Sequence, residues 1–83
     1  MKYPLVYCEW EDIQSADAAW GSLDDKLEDM ENTNSLVHQS GFQIEKTSDY
    51  VIIVCSYFDD QDLVGTLTRI PTSNIRKYEV VKE

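Results

Sequence analysis

The sequence predicts a mostly β (α+β) fold: a small five-stranded barrel with one short acidic helix in the first long loop and a 3₁₀ turn before the last strand. Three observations carry this expectation. Tyr50 to Phe58 (Tyr-Val-Ile-Ile-Val-Cys-Ser-Tyr-Phe) is a nine-residue run without a charge, and its β-branched and aromatic side chains suit a strand in both composition and length. Short apolar runs separated by polar turns follow one another from Leu36 to Val81. Helical spacing of apolar residues stands out at Leu23, Leu27 and Met30, which recur at i, i+4 and i+7.

Taken in order, Tyr3 to Ile13 opens as a strand. Leu5 and Tyr7 share one face, and Val6, Cys8 and Trp10 share the other. Pro4 suits an edge or a first strand residue. Polar residues and alanines from Gln14 to Ala19 lead to Trp20-Gly21. Trp20 is expected to anchor this loop on the barrel; the rival role is contact with a partner, because tryptophan is enriched at interface hot spots. Ser22 to about Glu31 is the helix, with Ser22 as N-cap and Asp25 completing a capping box. Its apolar stripe is expected to pack on the sheet, since roughly ten residues of helix do not persist alone in water. Asp24, Asp25, Glu28, Asp29 and Glu31 occupy the remaining helix surface. Asp29 and Glu31, near its C-terminus, oppose the helix dipole. Asn32 to Ser35 is a polar turn.

Leu36 to Thr47 reads as the second strand, with Phe42 and Ile44 inward, Gln43 and Glu45 outward, and Gly41 marking a bulge or a sharp bend. Lys46 to Asp49 turns the chain into the run from Tyr50 to Phe58. There Val51, Ile53, Cys55 and Tyr57 face one way and Ile52, Val54 and Phe58 the other. Both faces are apolar, so this strand is central or curls inside a small barrel. Asp59 to Asp62 is another turn, and Leu63 to Ile70 a strand with Leu67 and Ile70 buried. Pro71 stops that strand, Thr72-Ser73-Asn74 fits a single 3₁₀ turn, and Ile75 to Val81 supplies the last strand through Ile75, Tyr78 and Val80.

Eighty-three residues make one domain, 1–83, and a chain of this size buries only about 60–65% of its unfolded surface. No apolar h-region follows Met1-Lys2 and no apolar run approaches the roughly 20 residues of a membrane-spanning helix, so a cytoplasmic location and no membrane partner are expected. Cys8 and Cys55 lie in predicted strands without C-x-x-C spacing and are expected to be buried free thiols. The formal net charge is −9, and its distribution is uneven. Between Glu9 and Glu31 nine acids face Lys26 alone, a net of −8, whereas the rest of the chain is close to balanced. Such a segment repels nucleic acid and draws in a basic surface.

The residues do not assemble a catalytic or metal motif. His38 is the single histidine and has no nucleophile motif beside it, which makes it a surface residue. Glu9 and Glu11 share a strand face with carboxylates roughly 7 Å apart. That separation falls in the glycosidase range, but a surface row of acids produces it equally well. Asp59, Asp60 and Asp62 lack the alternating ligands and terminal Glu of a calcium loop, and the three glycines are isolated rather than gathered into a phosphate loop. No enzyme activity and no cofactor are expected.

The element order, with a 3₁₀ turn between the last two strands, resembles the SH3-like barrel. It lacks the aromatic groove pattern that peptide-binding SH3 domains use, so peptide recognition does not carry over. Glu9-Trp10-Glu11-Asp12, Trp20, Gly41-Phe42, Asp49-Tyr50 and Ile70-Pro71 followed by Ile75 are together similar to a group of small uncharacterised bacteriophage-encoded SH3-like proteins. The resemblance spans most of the chain apart from the acidic helix. It implies an accessory phage protein acting in the cytoplasm of the host bacterium, and it brings no active site.

Two functions follow as expectations. The first is a non-enzymatic acidic inhibitor of the anti-restriction or anti-CRISPR kind. It would cover the basic surface of a host nucleic-acid-binding or defence protein, with carboxylates imitating a row of DNA phosphates. The contact residues would be Glu9, Glu11, Asp12, Asp24, Asp25, Glu28, Asp29 and Glu31, with Trp20 as an apolar anchor. No direct nucleic-acid contact is expected, and the protein would be a monomer or small homo-oligomer. The second is a structural role in the virion or its assembly, with the charge conferring only solubility.

Overall fold

Five antiparallel strands form one sheet, in the spatial order Leu67–Pro71, Tyr50–Val54, Leu36–Lys46, Leu5–Glu11, Ile75–Lys82. The computed structural model describes residues 2–12, 20–32 and 36–83. In chain order the elements are β1 (Leu5–Glu11), α1 (Leu23–Asn32), β2 (Leu36–Lys46), β3 (Tyr50–Val54), β4 (Leu67–Pro71), the 3₁₀ turn η1 (Thr72–Asn74) and β5 (Ile75–Lys82). This is the expected succession, down to the 3₁₀ turn on Thr72-Ser73-Asn74. The helix expected from the single apolar stripe is present, and all ladders are antiparallel.

The main core cluster lies on one face of the sheet, and Val54 is buried on the other. Val6 and Cys8 of β1, Val51 and Ile53 of β3 and Ile70 of β4 are buried together, with Trp10, Ile75 and Tyr78 packed against them. β1 and β3 are separated by β2, and neighbouring strands lie about 4.8 Å apart. A flat sheet therefore holds the side chains of β1 and β3 too far apart to touch, and the sheet must curl. Gly41 of β2 makes the curl physically simple. It pairs with Val6, so a side chain there would point into the core. The space is filled instead by Ile53 Cγ2 from β3. No glycine among the described residues has positive φ; at Gly41 the chain uses the missing side chain, not the backbone freedom.

Two side-chain links cross the concave face. Trp10 Nε1 donates to Gln39 Oε1 (3.1 Å), and Gln39 Nε2 donates to Thr68 Oγ1 (3.1 Å), tying β1 to β2 and β4. Tyr78 Oη of β5 donates to Gln43 Oε1 of β2, while Lys46 Nζ sits 3.9 Å from the centre of the Tyr78 ring. Even so, no ladder joins β4 to β5, which are the two edges of the sheet. The closed barrel expected from the sequence is thus not formed as a continuous ladder: the sheet is strongly curved and open along one seam.

Several finer expectations need correction. β3 ends at Val54, where the chain bends and continues as a narrow hairpin with a Tyr57–Val64 bridge. The uncharged run was longer than the strand because its last residues serve that hairpin. Cys55 at the bend is exposed, whereas Cys8 is buried, and both thiols are free. Phe42 does not point into the core; the parity set by inward Gly41 turns it to the opposite face, where its ring meets Tyr57 edge-on at 5.0 Å. The bulge falls at Ile44, where the β2–β3 register shifts. Leu67, expected to be buried, is exposed because it stands three residues before buried Ile70 on β4 and so points to the other face of the sheet; Val80, on the edge strand β5, is exposed as well.

The largest departure concerns α1. Its stripe was expected to pack on the sheet, but Leu23, Leu27 and Met30 are 72%, 50% and 37% exposed, and the packed elements are neighbouring strands plus β3 with η1. A compact chain of this length has a radius of gyration of about 12 Å; here it is 16.5 Å, with a long dimension of 54 Å. The helix stands off the sheet.

Candidate interaction surface

The nine residues expected to meet a partner fall into two groups with different surroundings. Glu9 and Glu11 lie at the end of β1 and are engaged by the chain itself. Glu9 sits opposite His38 on one side and Lys77 on the other. Its Oε2 accepts a hydrogen bond from Tyr7 Oη (2.7 Å), and the same hydroxyl lies 2.8 Å from His38 Nδ1. The bond to Glu9, followed by desolvation, pushes the Tyr7 phenol above its usual range. Glu11 forms an ion pair with Arg76 at 2.8 Å, and its backbone carbonyl accepts from Asn74 Nδ2. These two carboxylates share a strand face as expected, but an opposing base or hydroxyl holds each of them. They are poor candidates for an unattached row of phosphate-like charges. Asp12 follows them and is exposed. Asp17, part of the same acidic segment, and the loop residues 13–19 lie outside the described residues.

The second group rides on α1. Ser22 starts the helix as expected: its Oγ accepts from the backbone N–H of Asp25 (3.2 Å), and its carbonyl from the N–H of Lys26 (3.2 Å). Asp24, Asp25, Glu28, Asp29 and Glu31 are all exposed. Two acids stand in the first turn and no base in the last, so the dipole is complemented at one end only. Lys26, the one base of the helix, folds back so that its Cε lies 3.3 Å from where a Cβ on Gly21 would stand. Trp20, three residues before Leu23, is fully exposed at 103%. The expected anchor on the sheet is therefore overturned, and the rival role, a tryptophan open to a partner, matches its position.

A second apolar area was not foreseen. Phe58, Leu63, Val64 and Leu67 are exposed at and beside the hairpin between β3 and β4. Shallow depressions there are lined by Ser56, Tyr57, Phe58 and their neighbours. Asp59, Asp60 and Asp62 crown its tip. The only sequence signal for it was the density of turn residues after Phe58, which shortens the strand and leaves its apolar tail uncovered. Among the described residues no group of three His, Cys, Asp or Glu side chains is placed to hold a metal ion. No helix among the described residues is long and apolar enough to cross a membrane. No family model, curated protein or solved structure matches the chain.

Proposed function

We propose that this protein is a non-enzymatic interaction protein whose acidic helix covers a basic surface on another protein. The observation that carries this is the stand-off of α1, which presents five acids against one base on a segment that contributes nothing to the core. A helix needed only for solubility has no reason to keep Leu23, Leu27 and Trp20 open to water as well. Under the same proposal the chain is a phage-encoded relative of the SH3-like barrels acting in the cytoplasm of the host bacterium. Its target is a nucleic-acid-binding or defence protein, whose cationic cleft the helix occupies in place of phosphates. The field of the acidic segment also speeds encounter with such a cleft and makes it salt-dependent.

The test is affinity capture from bacterial lysate with the native chain and with the variant D24N/D25N/E28Q/D29N, each at about 50 mM and about 500 mM salt, conditions that change the screening length severalfold. A cationic protein held by the native chain at low salt, released at high salt and not held by the variant is the expected result. Equal retention by both chains ends the proposal. The structural or virion role keeps one specific support, the two uncovered sheet edges with exposed Leu67, Val80 and Val81. Sedimentation separates the two, since assemblies larger than a dimer belong to that second role.

A further inference from the structure

The surface of α1 is more ordered than an acidic patch. With about 100° between successive residues, Leu23, Leu27 and Met30 form one narrow apolar stripe. Asp24, Glu28 and Glu31 repeat the same i, i+4, i+7 spacing one residue later, and so form a second row beside the first, along one flank only. Lys26 lies on the opposite flank, and Asp25 and Asp29 lie toward the back. The stripe and the near acidic row are both exposed, and Trp20 extends the apolar surface beyond the N-cap.

From this we infer that α1 is a helix-in-groove ligand: its apolar stripe enters an apolar groove on a partner protein, and the Asp24-Glu28-Glu31 row meets lysines and arginines along one rim of that groove. The inference rests on the proposal that α1 is the binding element, and it adds the chemistry and handedness of the site it binds. An amphipathic helix laid in a groove is a common recognition mode, read as i, i+4, i+7 anchors. The charge pattern selects this occupant over others. A second copy's α1 would set a net −4 against a net −4, and an anionic membrane surface would repel the acidic row in the same way. A purely cationic cleft would leave the stripe in water.

Isothermal titration against two synthetic helical peptides tests this. One carries a leucine stripe with lysines along one edge; the other has the same lysines and no apolar stripe. The native chain is compared with L27A/M30A, D24N/E28Q/E31Q and D25N/D29N. Alanine keeps the helix, being its best former, and circular dichroism checks that it does. The expected result is binding of the leucine-lysine peptide at least about tenfold tighter than the lysine-only peptide. L27A/M30A should erase that preference, and the near-row variant should weaken binding at least about threefold more than the far-side pair. If L27A/M30A binds both peptides as the native chain does, the groove is refuted, while charge-dependent binding would leave the electrostatic proposal standing. If near and far acids matter equally, the one-sided rim is refuted. If neither charge nor stripe matters, both fall. A dimer in sedimentation that L27A/M30A abolishes would assign the stripe to a second copy and overturn the inference.

Discussion

Replacing Gly41 with alanine should be among the most damaging single-methyl changes in this chain. A Cβ built at residue 41 falls under 3.0 Å from both Ile53 Cγ2 and the carbonyl oxygen of Val54, whereas carbon atoms rest about 3.5–4.0 Å apart. The first neighbour is 1% exposed and the second is backbone, so neither swings aside. β3 must withdraw from β2 by on the order of 1 Å, which strains a ladder spaced at about 4.8 Å. Overpacking costs about 1–3 kcal/mol and occasionally more, and a backbone clash belongs at the upper end. The alanine's smaller loss of chain entropy offsets only about 0.5–1 kcal/mol of that. A net loss near 2–3 kcal/mol is large for a chain whose whole stability is about 4–12 kcal/mol. The melting temperature should drop by about 8–24 °C, read by circular dichroism and checked by urea titration. Because leucine lacks the clashing Cγ2, G41A/I53L should recover part of the loss relative to I53L alone. A melting temperature within about 2 °C of native, or no recovery in that pair, would show that Ile53 does not fill the place of a residue-41 side chain.

Gln39→Leu removes the bridge between Trp10 and Thr68 and strands two half-buried polar groups; it should cost about 1–3 kcal/mol in urea unfolding, and less than about 0.5 kcal/mol would show that the relay contributes no net stability. Cysteine alkylation should give one adduct, at Cys55, on the native protein and two in denaturant. Cys55 is exposed and its thiol is lowered chiefly by the Ser56 hydroxyl, whereas burial pushes the Cys8 thiol up; simultaneous labelling of both would contradict this. Alkaline pH should destabilise the fold. The unfolded Cys8 thiol loses its proton near its usual 9.0 while the folded one retains it, so the unfolded state binds fewer protons and stability falls as pH rises through and above that value. Tyr7 and Tyr78, also raised, act in the same direction from their usual 10.0. The urea midpoint measured from pH 8 upward should fall, with a shallower slope in Cys8→Ala; an identical slope in that variant would contradict the assignment.

Much of the fold was legible because local signals agreed with one another. The alternation of Val6, Cys8 and Trp10 marked the inner face of β1, Pro71 ended β4, and Ser22 began α1. What escaped depended on which elements cover which. Leu67 and Val80 carry the same apolar signal as Ile70, but Leu67, three residues before Ile70 on β4, points to the opposite face of the sheet, and Val80 lies on the edge strand β5 without an outer neighbour. The same limit applied to the helix, whose i, i+4, i+7 stripe marks an apolar face without saying whether the sheet covers it. At the candidate site, the acids of α1 could be placed on one exposed element from sequence alone. The capture of Glu11 by Arg76, 65 residues away, and of Glu9 by Tyr7 beside His38 depended on strand register, which no local pattern reveals.

The two ends of this molecule answer to different constraints. Substitutions along the concave face of the sheet are judged by whether the domain survives at all, because Val6, Ile53 and Ile70 have no slack around them. Substitutions along the outward helix touch no part of that core, so the sequence of α1 can be rewritten while the sheet that carries it stays the same.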